Sequence, residues 1–371
     1  SMVRAGLERG LTPYTGAALR DLVARELSTG DAGRNGNASG DRAHVSGFDT
    51  TAVLLAGSLP MPTLVAVMAP LVLGSPVLVR PASRDRVTPR RVADSIAELD
   101  RGLGECVAIV DFAHDDEASA RAFLAADCVV ASGSDETIAA VAARVRPWQR
   151  FVGYGHRLSI AVIGDAATRD TTLDHTAREL AVDIALWDQL GCLSPVAVFV
   201  TTGDEDAADR VALAVARELA ATEKHWPRGK IARDTAAAIA MERSEAEMRA
   251  AAGRNVAVHA SDDTAWSVVR EADAELRSAP LHRFVRIHPV ADVDSLCRAL
   301  HPLGRHLAAV ALAGFGSENA RVARALTGLG ASRVCAPGRM QSPPLAWRHD
   351  NRGVLEPLAR FAQIERVDSE I

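Results

Sequence analysis

One cysteine of the chain stands where a thiol could act as a nucleophile. Cys192 follows Gly191 on a turn, between a helical pattern over residues 177–187 and a β-branched and aromatic run over residues 196–200. A thiol at such a junction is open to substrate, and nearby backbone N–H groups favour its thiolate form, which is the nucleophile. Cysteine is also among the most buried residue types, so the local sequence leaves a core cysteine as the alternative.

The other cysteines and the composition indicate a reduced, cytoplasmic protein. Cys106 and Cys128 begin or lie within apolar strand-like runs, and Cys297 lies in a helical pattern. Five cysteines at irregular spacing predict thiols rather than a disulfide framework. The 371 residues are 48% apolar with a net charge of -5, which permits two cores and argues against nucleic acid as the main partner. The sequence contains no uninterrupted apolar stretch of membrane-spanning length.

The first half of the chain alternates strand and helix patterns. A helix is predicted at 16–28 and a mobile loop at 29–41, and regular structure resumes near Thr51. The predicted strands cover 51–56, 76–80, 106–110 and 128–131, and the predicted helices cover 62–73, 89–99, 117–124 and 136–145. This alternation predicts a Rossmann-like parallel sheet with helices on both faces.

The second half repeats the α/β theme. A glycine-rich segment, 151–159, leads into a strand at 160–163. The remaining predicted elements are helices at 171–187, 207–221, 236–252 and 318–326, and strands at 196–200, near Val256, Val268 and Val285, and at 307–311. We therefore predict an α/β protein divided into residues 1–157, residues 158–345 and a C-terminal segment, 346–371.

Three loops follow the predicted strands of the first half, at 57–60, 80–84 and 132–136. Ligands of parallel sheets bind at the carboxyl ends of the strands, so these loops are candidate binding elements. The last one opens a helix, whose N-terminus favours phosphate, but Ser132 with Asp135 is equally compatible with a simple capping box. Arg80 and Arg84 are either ligand contacts or solvated surface arginines. No GxGxxG pattern follows the first strand, which disfavours an ordinary dinucleotide module.

Four segments resemble motifs of the LuxC acyl-CoA reductases. They are Gly-Ser-Asp-Glu-Thr at 133–137, Gly-Tyr-Gly-His-Arg at 153–157, Gln-Leu-Gly-Cys-Leu-Ser-Pro at 189–195, and the segment from Met-Gln at 340 to Trp347. The resemblance covers residues 51–365 in the same order. It implies an aldehyde-dehydrogenase-like fold of two Rossmann-like α/β domains with the active site in the cleft between them, the first domain binding NADP and the second catalytic. It also implies a homo-oligomer.

The resemblance further implies reduction of an acyl thioester to an aldehyde. Cys192 would attack an acyl-CoA or a carrier-protein thioester, and NADPH, with NADH as the alternative, would reduce the resulting acyl-enzyme. By resemblance, Gly133 and Ser134 lie beside the cofactor, and Arg80 replaces a lysine that contacts the adenosine ribose.

The cofactor preference follows from the loop after the second strand. Ser83 stands where NAD-preferring aldehyde dehydrogenases often carry a glutamate, and Arg84 adds a cation beside it. Replacing a carboxylate and adding a cation favour a 2′-phosphate, hence NADPH.

Two positions depart from the aldehyde dehydrogenase pattern. Ser58 stands where an asparagine amide helps to stabilise the oxyanion, and its hydroxyl offers a single donor on a shorter arm. Gly153 aligns with the glutamate that activates water in the hydrolytic enzymes, so an acyl-enzyme here would exchange with a thiol more readily than it would hydrolyse. His156 is either a proton donor or substrate contact, or a structural histidine of the glycine-rich turn.

Several interpretations stay open. Gln189 and Ser194 flank the nucleophile but also fit a capped helix end followed by a hydrogen-bonded turn. Trp347 and His349 line the acyl or nicotinamide pocket only by resemblance. Residues 114–117 read as an acidic helix start and not as metal ligands, and no metal is expected. The rival functions are an acyltransferase or thioesterase that uses Cys192, and a catalytically silent aldehyde-dehydrogenase-like protein.

Overall fold

The structure is a computed structural model that describes residues 1–27, 42–57 and 59–364. The predicted loop at 29–41 and the predicted oxyanion residue Ser58 lie outside the described residues. The chain forms two compact units. Unit 1 consists of Ser1–Thr12 and Arg157–Pro343, and unit 2 consists of Pro13–His156 and Pro344–Ile371.

The regular elements follow one another along the chain as helices and strands. The α-helices are α1 (Met2–Leu11), α2 (Gly16–Leu27), α3 (Pro60–Val72), α4 (Thr88–Leu99), α5 (Arg101–Glu105), α6 (Glu117–Phe123), α7 (Asp135–Ala142), α8 (Asp170–Ala185), α9 (Ala207–His225), α10 (Arg233–Ala251), α11 (Val293–Leu300) and α12 (Asn319–Gly328). The strands are β1 (Arg42–Ser46), β2 (Thr51–Leu54), β3 (Val77–Arg80), β4 (Val107–Ile109), β5 (Cys128–Ser132), β6 (Arg150–Tyr154), β7 (Leu158–Gly164), β8 (Pro195–Thr201), β9 (Ala257–Ala260), β10 (Ser267–Arg270), β11 (Phe284–Val290), β12 (Leu307–Ala313), β13 (Arg333–Cys335) and β14 (Arg360–Ile364).

Unit 2 is built on a five-stranded sheet in the order β4-β3-β2-β5-β6, with every pair parallel. Successive side chains of a strand point to opposite faces, so Val53 packs with Val67 of α3, whereas Ala52 packs with Val141 of α7. Helices therefore cover both faces, which confirms the Rossmann-like prediction for this half. Because all five strands run the same way, the loops after β2, β3 and β5 leave the same edge of the sheet.

Unit 1 contains a seven-stranded sheet in the order β13-β12-β7-β8-β11-β10-β9. The pairs are parallel except β9 with β10, which is antiparallel. Residues 160–163 of β7 have no exposed surface, because helices such as α8 and α9 cover the sheet. A central parallel strand reads as a continuous apolar run for this reason.

The structure differs from the sequence-based expectations at several element bounds. The helix expected to reach Trp187 ends at Ala185, where the backbone turns left-handed. Regular structure resumes at Arg42 and not near Thr51, because β1 pairs with β14 from the far end of the chain. The glycine-rich segment begins with a strand, β6, which pairs with β5.

The division into units also differs from the expected boundaries at both ends. Ser1–Thr12 belongs to unit 1, where the backbone of Gly6 lies against the indole ring of Trp187. The segment from Pro344 onward belongs to unit 2, where β14 pairs with β1.

Candidate active site

The Cys192 thiol is presented on a tight turn. The N–H of Ser194 donates to the carbonyl of Gly191 at 2.9 Å, which places Cys192 and Leu193 at the two central positions of the turn. Cys192 is exposed, whereas Gly191, Leu193 and Ser194 are buried. The buried flanking residues therefore anchor the turn in the protein, and the exposed thiol stays open to a reactant.

Burial disfavours ionisation of other thiols in the chain. It raises the pKa of Cys128 to about 12 and that of Cys335 to about 11, and it also raises the pKa of Cys297. Cys128 has no exposed surface, as expected from its apolar run. Because the thiolate is the nucleophile, these three cysteines are poor candidates for covalent catalysis.

The backbone before the turn adopts an unusual conformation. Trp187, Asp188 and Gln189 have φ values of 58°, 50° and 63°, and the facing residues 281–283 have φ values of 65°, 56° and 68°. Each left-handed residue other than glycine costs on the order of 1–3 kcal/mol, and it persists only where the surroundings impose it.

A buried guanidinium joins these two left-handed segments. Arg283, with no exposed side-chain surface, donates to Asp188 Oδ1 from Nε at 3.0 Å and from Nη2 at 2.6 Å. Its Nη1 donates to Glu223 Oε2 at 2.6 Å and to the carbonyl of Trp226 at 2.8 Å. The second carboxylate oxygen of Asp188 accepts from the N–H of Gly229 at 2.9 Å. The paired charges and their hydrogen bonds offset the cost of desolvation and fix the backbone of residues 187–189, directly before the turn.

Gln189 connects the turn to the central sheet. Its amide donates to the carbonyls of Pro195 at 2.8 Å and Phe284 at 2.9 Å, and it accepts from the N–H of Phe284 at 2.9 Å. The side chain thus bonds as a peptide group would between β8 and β11. Gln189 therefore has a structural role in the sheet, and the predicted helix cap at this residue is wrong.

A buried hydroxyl holds the backbone of the cysteine itself. Ser159 Oγ of β7 donates to the carbonyl oxygen of Cys192 at 2.6 Å and accepts from the N–H of Ala309 at 3.1 Å. Ser159 has no exposed surface, so water does not compete for these bonds. The backbone on the C-terminal side of Cys192 is therefore fixed by a neighbouring strand.

The predicted cofactor loops leave one edge of the unit 2 sheet. Arg80, at the end of β3, donates to the carbonyl of Phe112 at 3.3 Å, and its guanidinium carbon lies 4.5 Å from the centre of the Phe112 ring. Its Nε is buried and has no hydrogen-bond partner among the described residues. Ser83 and Arg84 follow on an exposed turn. Arg80 is thus held in place with an N–H that a ligand could satisfy, and Arg84 is a hydrated charge at the same edge.

The loop after β5 is tied to its own helix. Ser134 is the N-cap of α7, and its Oγ accepts from the N–H of Thr137 at 3.2 Å. The alternative capping box of Ser132 with Asp135 is therefore wrong, because the N-cap is Ser134, two residues later. Asp135 accepts instead from the N–H of His156 at 2.8 Å. The N–H of Gly133 donates to the carbonyl of Tyr154 at 3.1 Å, which fixes the loop at the sheet edge.

Gly153 lies in β6 with no room for a side chain. A Cβ atom there would stand 2.7 Å from Cγ2 of Ile138 and 3.1 Å from the ring of Phe151. A glutamate at this position would displace the packing of α7 on the sheet. His156, two residues beyond the end of β6, is exposed.

Aromatic residues of the C-terminal segment stack within unit 2. The rings of Tyr154 and His349 are parallel to within 6° at a centroid distance of 4.9 Å, and Trp347 lies 4.8 Å from His349. Burial raises the pKa of Tyr154 to about 12, so its phenol stays protonated at neutral pH.

The acidic residues after His114 form a helix start. Asp116 caps α6 by accepting from the N–H of Ser119 at 3.0 Å, and Glu117 lies in the first turn, as expected from the sequence. Within residues 1–27, 42–57 and 59–364, no group of three or more His, Cys, Asp or Glu side chains is arranged to hold a metal ion. No helix in that part of the chain has the length and apolar character to cross a membrane.

Comparison with known proteins identifies the relatives of this chain. The family model described as acyl-CoA reductase (LuxC) matches residues 15–363. A long-chain acyl-protein thioester reductase of Aliivibrio fischeri is 23% identical over 320 residues, which cover 84% of this chain and 63% of that protein. The chain thus spans less than two thirds of the length of this relative.

Solved structures share the fold at low sequence identity. An oxidoreductase from Marinobacter aquaeolei superposes with a TM-score of 0.73 at 14% identity, covering 94% of this chain and 76% of that chain. A putative methylmalonate-semialdehyde dehydrogenase from Sinorhizobium meliloti, complexed with NAD, gives a TM-score of 0.70 at 14% identity, covering 99% and 79%. These similarities show an aldehyde-dehydrogenase-like fold. Since the family model matches nearly the whole chain, the protein belongs to the LuxC acyl-CoA reductase family.

Proposed function

We propose that the protein reduces an acyl thioester, bound to CoA or to a carrier protein, to an aldehyde, with Cys192 as the acyl-accepting nucleophile. The observation that carries this proposal is the exposed Cys192 thiol on a turn fixed from several sides, in contrast to the buried thiols of Cys128 and Cys335. Family membership and the acyl-protein thioester reductase of Aliivibrio fischeri support the substrate class.

The first half of the reaction is acyl transfer to Cys192. The thiolate attacks the thioester carbonyl and forms a C–S bond, and the tetrahedral oxyanion expels the carrier thiolate, which takes up a proton. The backbone N–H of Cys192 and the hydroxyl of Ser58 are the proposed oxyanion donors. Loss of one such donor typically costs about 3 kcal/mol of transition-state stabilisation, so a rigid turn matters when the donors are few.

The second half is reduction of the acyl-cysteine. When bound, NADPH supplies a hydride to the carbonyl carbon. Collapse of the resulting thiohemiacetal oxyanion breaks the C–S bond, releases the aldehyde and restores the Cys192 thiolate. His156 is the proposed proton donor or substrate contact in this sequence, since its ring is exposed and its backbone is held by Asp135.

The residues at the edge of the unit 2 sheet fit a phosphorylated dinucleotide. The unpartnered Nε of Arg80 offers a donor for the adenosine ribose, and exposed Arg84 beside Ser83 offers a cation for a 2′-phosphate. Gly133 and Ser134 would lie beside the cofactor on the neighbouring loop. This combination favours NADPH over NADH.

The packing around Gly153 supports thioester reduction over aldehyde oxidation. The Ile138 and Phe151 side chains fill the space that a glutamate would need. Without a carboxylate there to activate water, the acyl-enzyme persists until hydride or a thiol reaches it.

The test is incubation with NADPH and a panel of acyl-CoA and carrier-protein thioesters, with NADPH oxidation and aldehyde measured together. We expect aldehyde in proportion to NADPH consumed, and a covalent acyl adduct on Cys192 by mass spectrometry when NADPH is omitted. Cys192→Ala should abolish both signals. NADPH consumption by that variant at the wild-type rate contradicts the mechanism, and release of the carrier thiol at an undiminished rate without NADPH indicates a thioesterase or acyltransferase.

A further inference from the structure

The Met340-Gln341 motif contacts the nucleophile turn within unit 1. The amide nitrogen of Gln341 donates to Ser194 Oγ at 2.9 Å and to the backbone carbonyl of Asp183 at 3.3 Å. Both Gln341 and Ser194 are buried. Ser194 is also the residue whose N–H closes the turn around Cys192, so the Gln341 amide reaches the C-terminal anchor of that turn.

The backbone donors of the segment that carries Gln341 are held by a buried carboxylate. Asp183, on α8, has no exposed surface. Its Oδ2 accepts from the N–H of Gly338 at 2.6 Å, and its Oδ1 accepts from the N–H of Met340 at 3.2 Å. Gly338 has a φ of 78°, a left-handed conformation that favours glycine, and it lies directly against the side chain of Glu179.

The backbone acceptors of the same segment are held by a guanidinium. Arg333 of β13 donates from Nη1 to the carbonyl of Met340 at 2.7 Å, and from Nη2 to the carbonyls of Arg339 at 2.6 Å and Ser342 at 3.3 Å. A carboxyl group and a guanidinium thus fix opposite sides of one short stretch of backbone. Burying the Asp183 carboxyl group and half-burying the Arg333 guanidinium is costly, and a passive connection between elements does not need it.

We infer that Gln341 is a positioning residue for Cys192: the Asp183 and Arg333 contacts fix the 338–342 segment, and the Gln341 amide transmits that fixed position through Ser194 to the nucleophile turn. The inference rests on the proposed role of Cys192 as nucleophile. It assigns the Met340-Gln341 motif to the geometry of the thiol and not to recognition of the acyl chain.

The test uses alkylation of Cys192 by iodoacetamide, which needs neither cofactor nor thioester. The rate at Cys192 is followed across a pH series by peptide mass spectrometry for wild type, Gln341→Ala, Gln341→Glu and Ser194→Ala. Gln341→Glu keeps the shape of the side chain but removes its N–H donors. Val322→Ala serves as the matched control, because Val322 is a fully buried core residue of the same unit without a role in the turn.

We expect all three turn variants to change the pH profile or the limiting rate of Cys192 alkylation, and Val322→Ala to leave both unchanged while lowering the unfolding midpoint. In the reductase assay, Gln341→Ala should lower kcat about tenfold with little change in the KM for the thioester, because the buried hydrogen bond that positions the turn through Ser194 is lost. The double variant Gln341→Ala with Ser194→Ala should be no slower than the more damaged single variant, since both remove the same bond.

The inference is overturned if Gln341→Ala and Gln341→Glu keep the wild-type alkylation profile while their stability falls as in Val322→Ala. That result would make the motif structural only. The alkylation outcome does not depend on reductase activity, so a failure of the proposed function appears separately, as intact Cys192 reactivity without acyl reduction.

Discussion

Charged side chains are buried beside the Cys192 turn of unit 1 but exposed at the loop edge of unit 2, where the loop at 80–84 leaves the sheet. Around the turn, Arg283 is fully buried and donates hydrogen bonds to Asp188, Glu223 and the carbonyl of Trp226. At the loop edge, Arg84 is exposed on a surface turn. Buried, fully paired charges enforce one geometry, whereas hydrated charges attract a partner without fixing the backbone. The turn therefore holds one geometry, and the exposed charge at the loop edge fits the recognition role that we propose for it.

Removing the guanidinium of Arg283 should cause the largest loss of unfolding free energy. Arg283→Met keeps most of the volume but leaves the Asp188 and Glu223 carboxylates without their counter-charge, and loss of one partner of a buried pair costs about 3–5 kcal/mol. Denaturant unfolding of the variant measures the loss of unfolding free energy. The matched control is Arg321→Met, which breaks the exposed pair with Glu318 and should cost less than about 1 kcal/mol. Equal losses for the two variants would remove the distinction between a buried and a hydrated charge.

A side chain at Gly153 should cause the next largest loss of unfolding free energy. Gly153→Ala places a methyl group 2.7 Å from Cγ2 of Ile138, and overpacking of this kind costs about 1–3 kcal/mol. Thermal and denaturant unfolding should show that loss. Ile138→Ala removes the opposing methyl, so the double variant should be more stable than the sum of the two single changes predicts. If the losses of unfolding free energy are strictly additive, Ile138 does not restrict the size of the side chain at position 153.

Element order and the location of the exposed cysteine turn were accessible from the sequence because they depend on local patterns. The alternation of apolar runs and helical spacing predicted the parallel strands β2 to β5, and a glycine-flanked cysteine between a helix and a strand marked the turn. The family motifs extended this to the residues around Gln341.

The supports of the turn were not accessible, because they depend on contacts between distant segments. Arg283 meets Asp188 across 95 positions of the chain, and Ser159 meets Ala309 across 150. Nothing near Ser159 distinguishes it from any other serine that precedes an apolar strand. The only local signal for Arg283 was an arginine directly before the strand β11. Because arginine is usually exposed, this position did not indicate a buried ion pair.

The carboxylate of Asp183 makes the stability of the turn region depend on pH. Burial is the main cause that raises its pKa from 3.8 to about 7; the N–H groups of Gly338 and Met340 oppose the shift, and Glu179 adds to it. Since the folded-state pKa lies above the unfolded value, the folded form binds the proton more tightly. Its contribution to stability is complete below pH 3.8 and is lost as the pH rises to about 7, with a slope of at most about 1.4 kcal/mol per pH unit.

Comparison with Asp183→Asn isolates this effect. The asparagine amide does not ionise. The variant protein is less stable overall than wild type, because one backbone N–H loses its acceptor. The advantage of wild type over the variant should narrow as the pH rises from 4 to 7 in denaturant titrations. A difference in unfolding free energy that stays constant over this range would show that Asp183 titrates normally.

The exposed arginine at the loop edge should have the smallest effect on stability and a selective effect on binding. Arg84→Ala removes a hydrated charge, so the unfolding free energy should change by less than about 0.5 kcal/mol. If Arg84 meets the 2′-phosphate, the KM for NADPH should rise about tenfold, while the KM for NADH, which lacks that phosphate, should not change. Arg90→Ala, another exposed arginine of unit 2, controls for a general loss of positive charge and should leave both constants as in wild type. A parallel rise for the two cofactors would place Arg84 at a group that they share, and no change for either would leave the loop edge without the recognition role that separates it from the Cys192 turn.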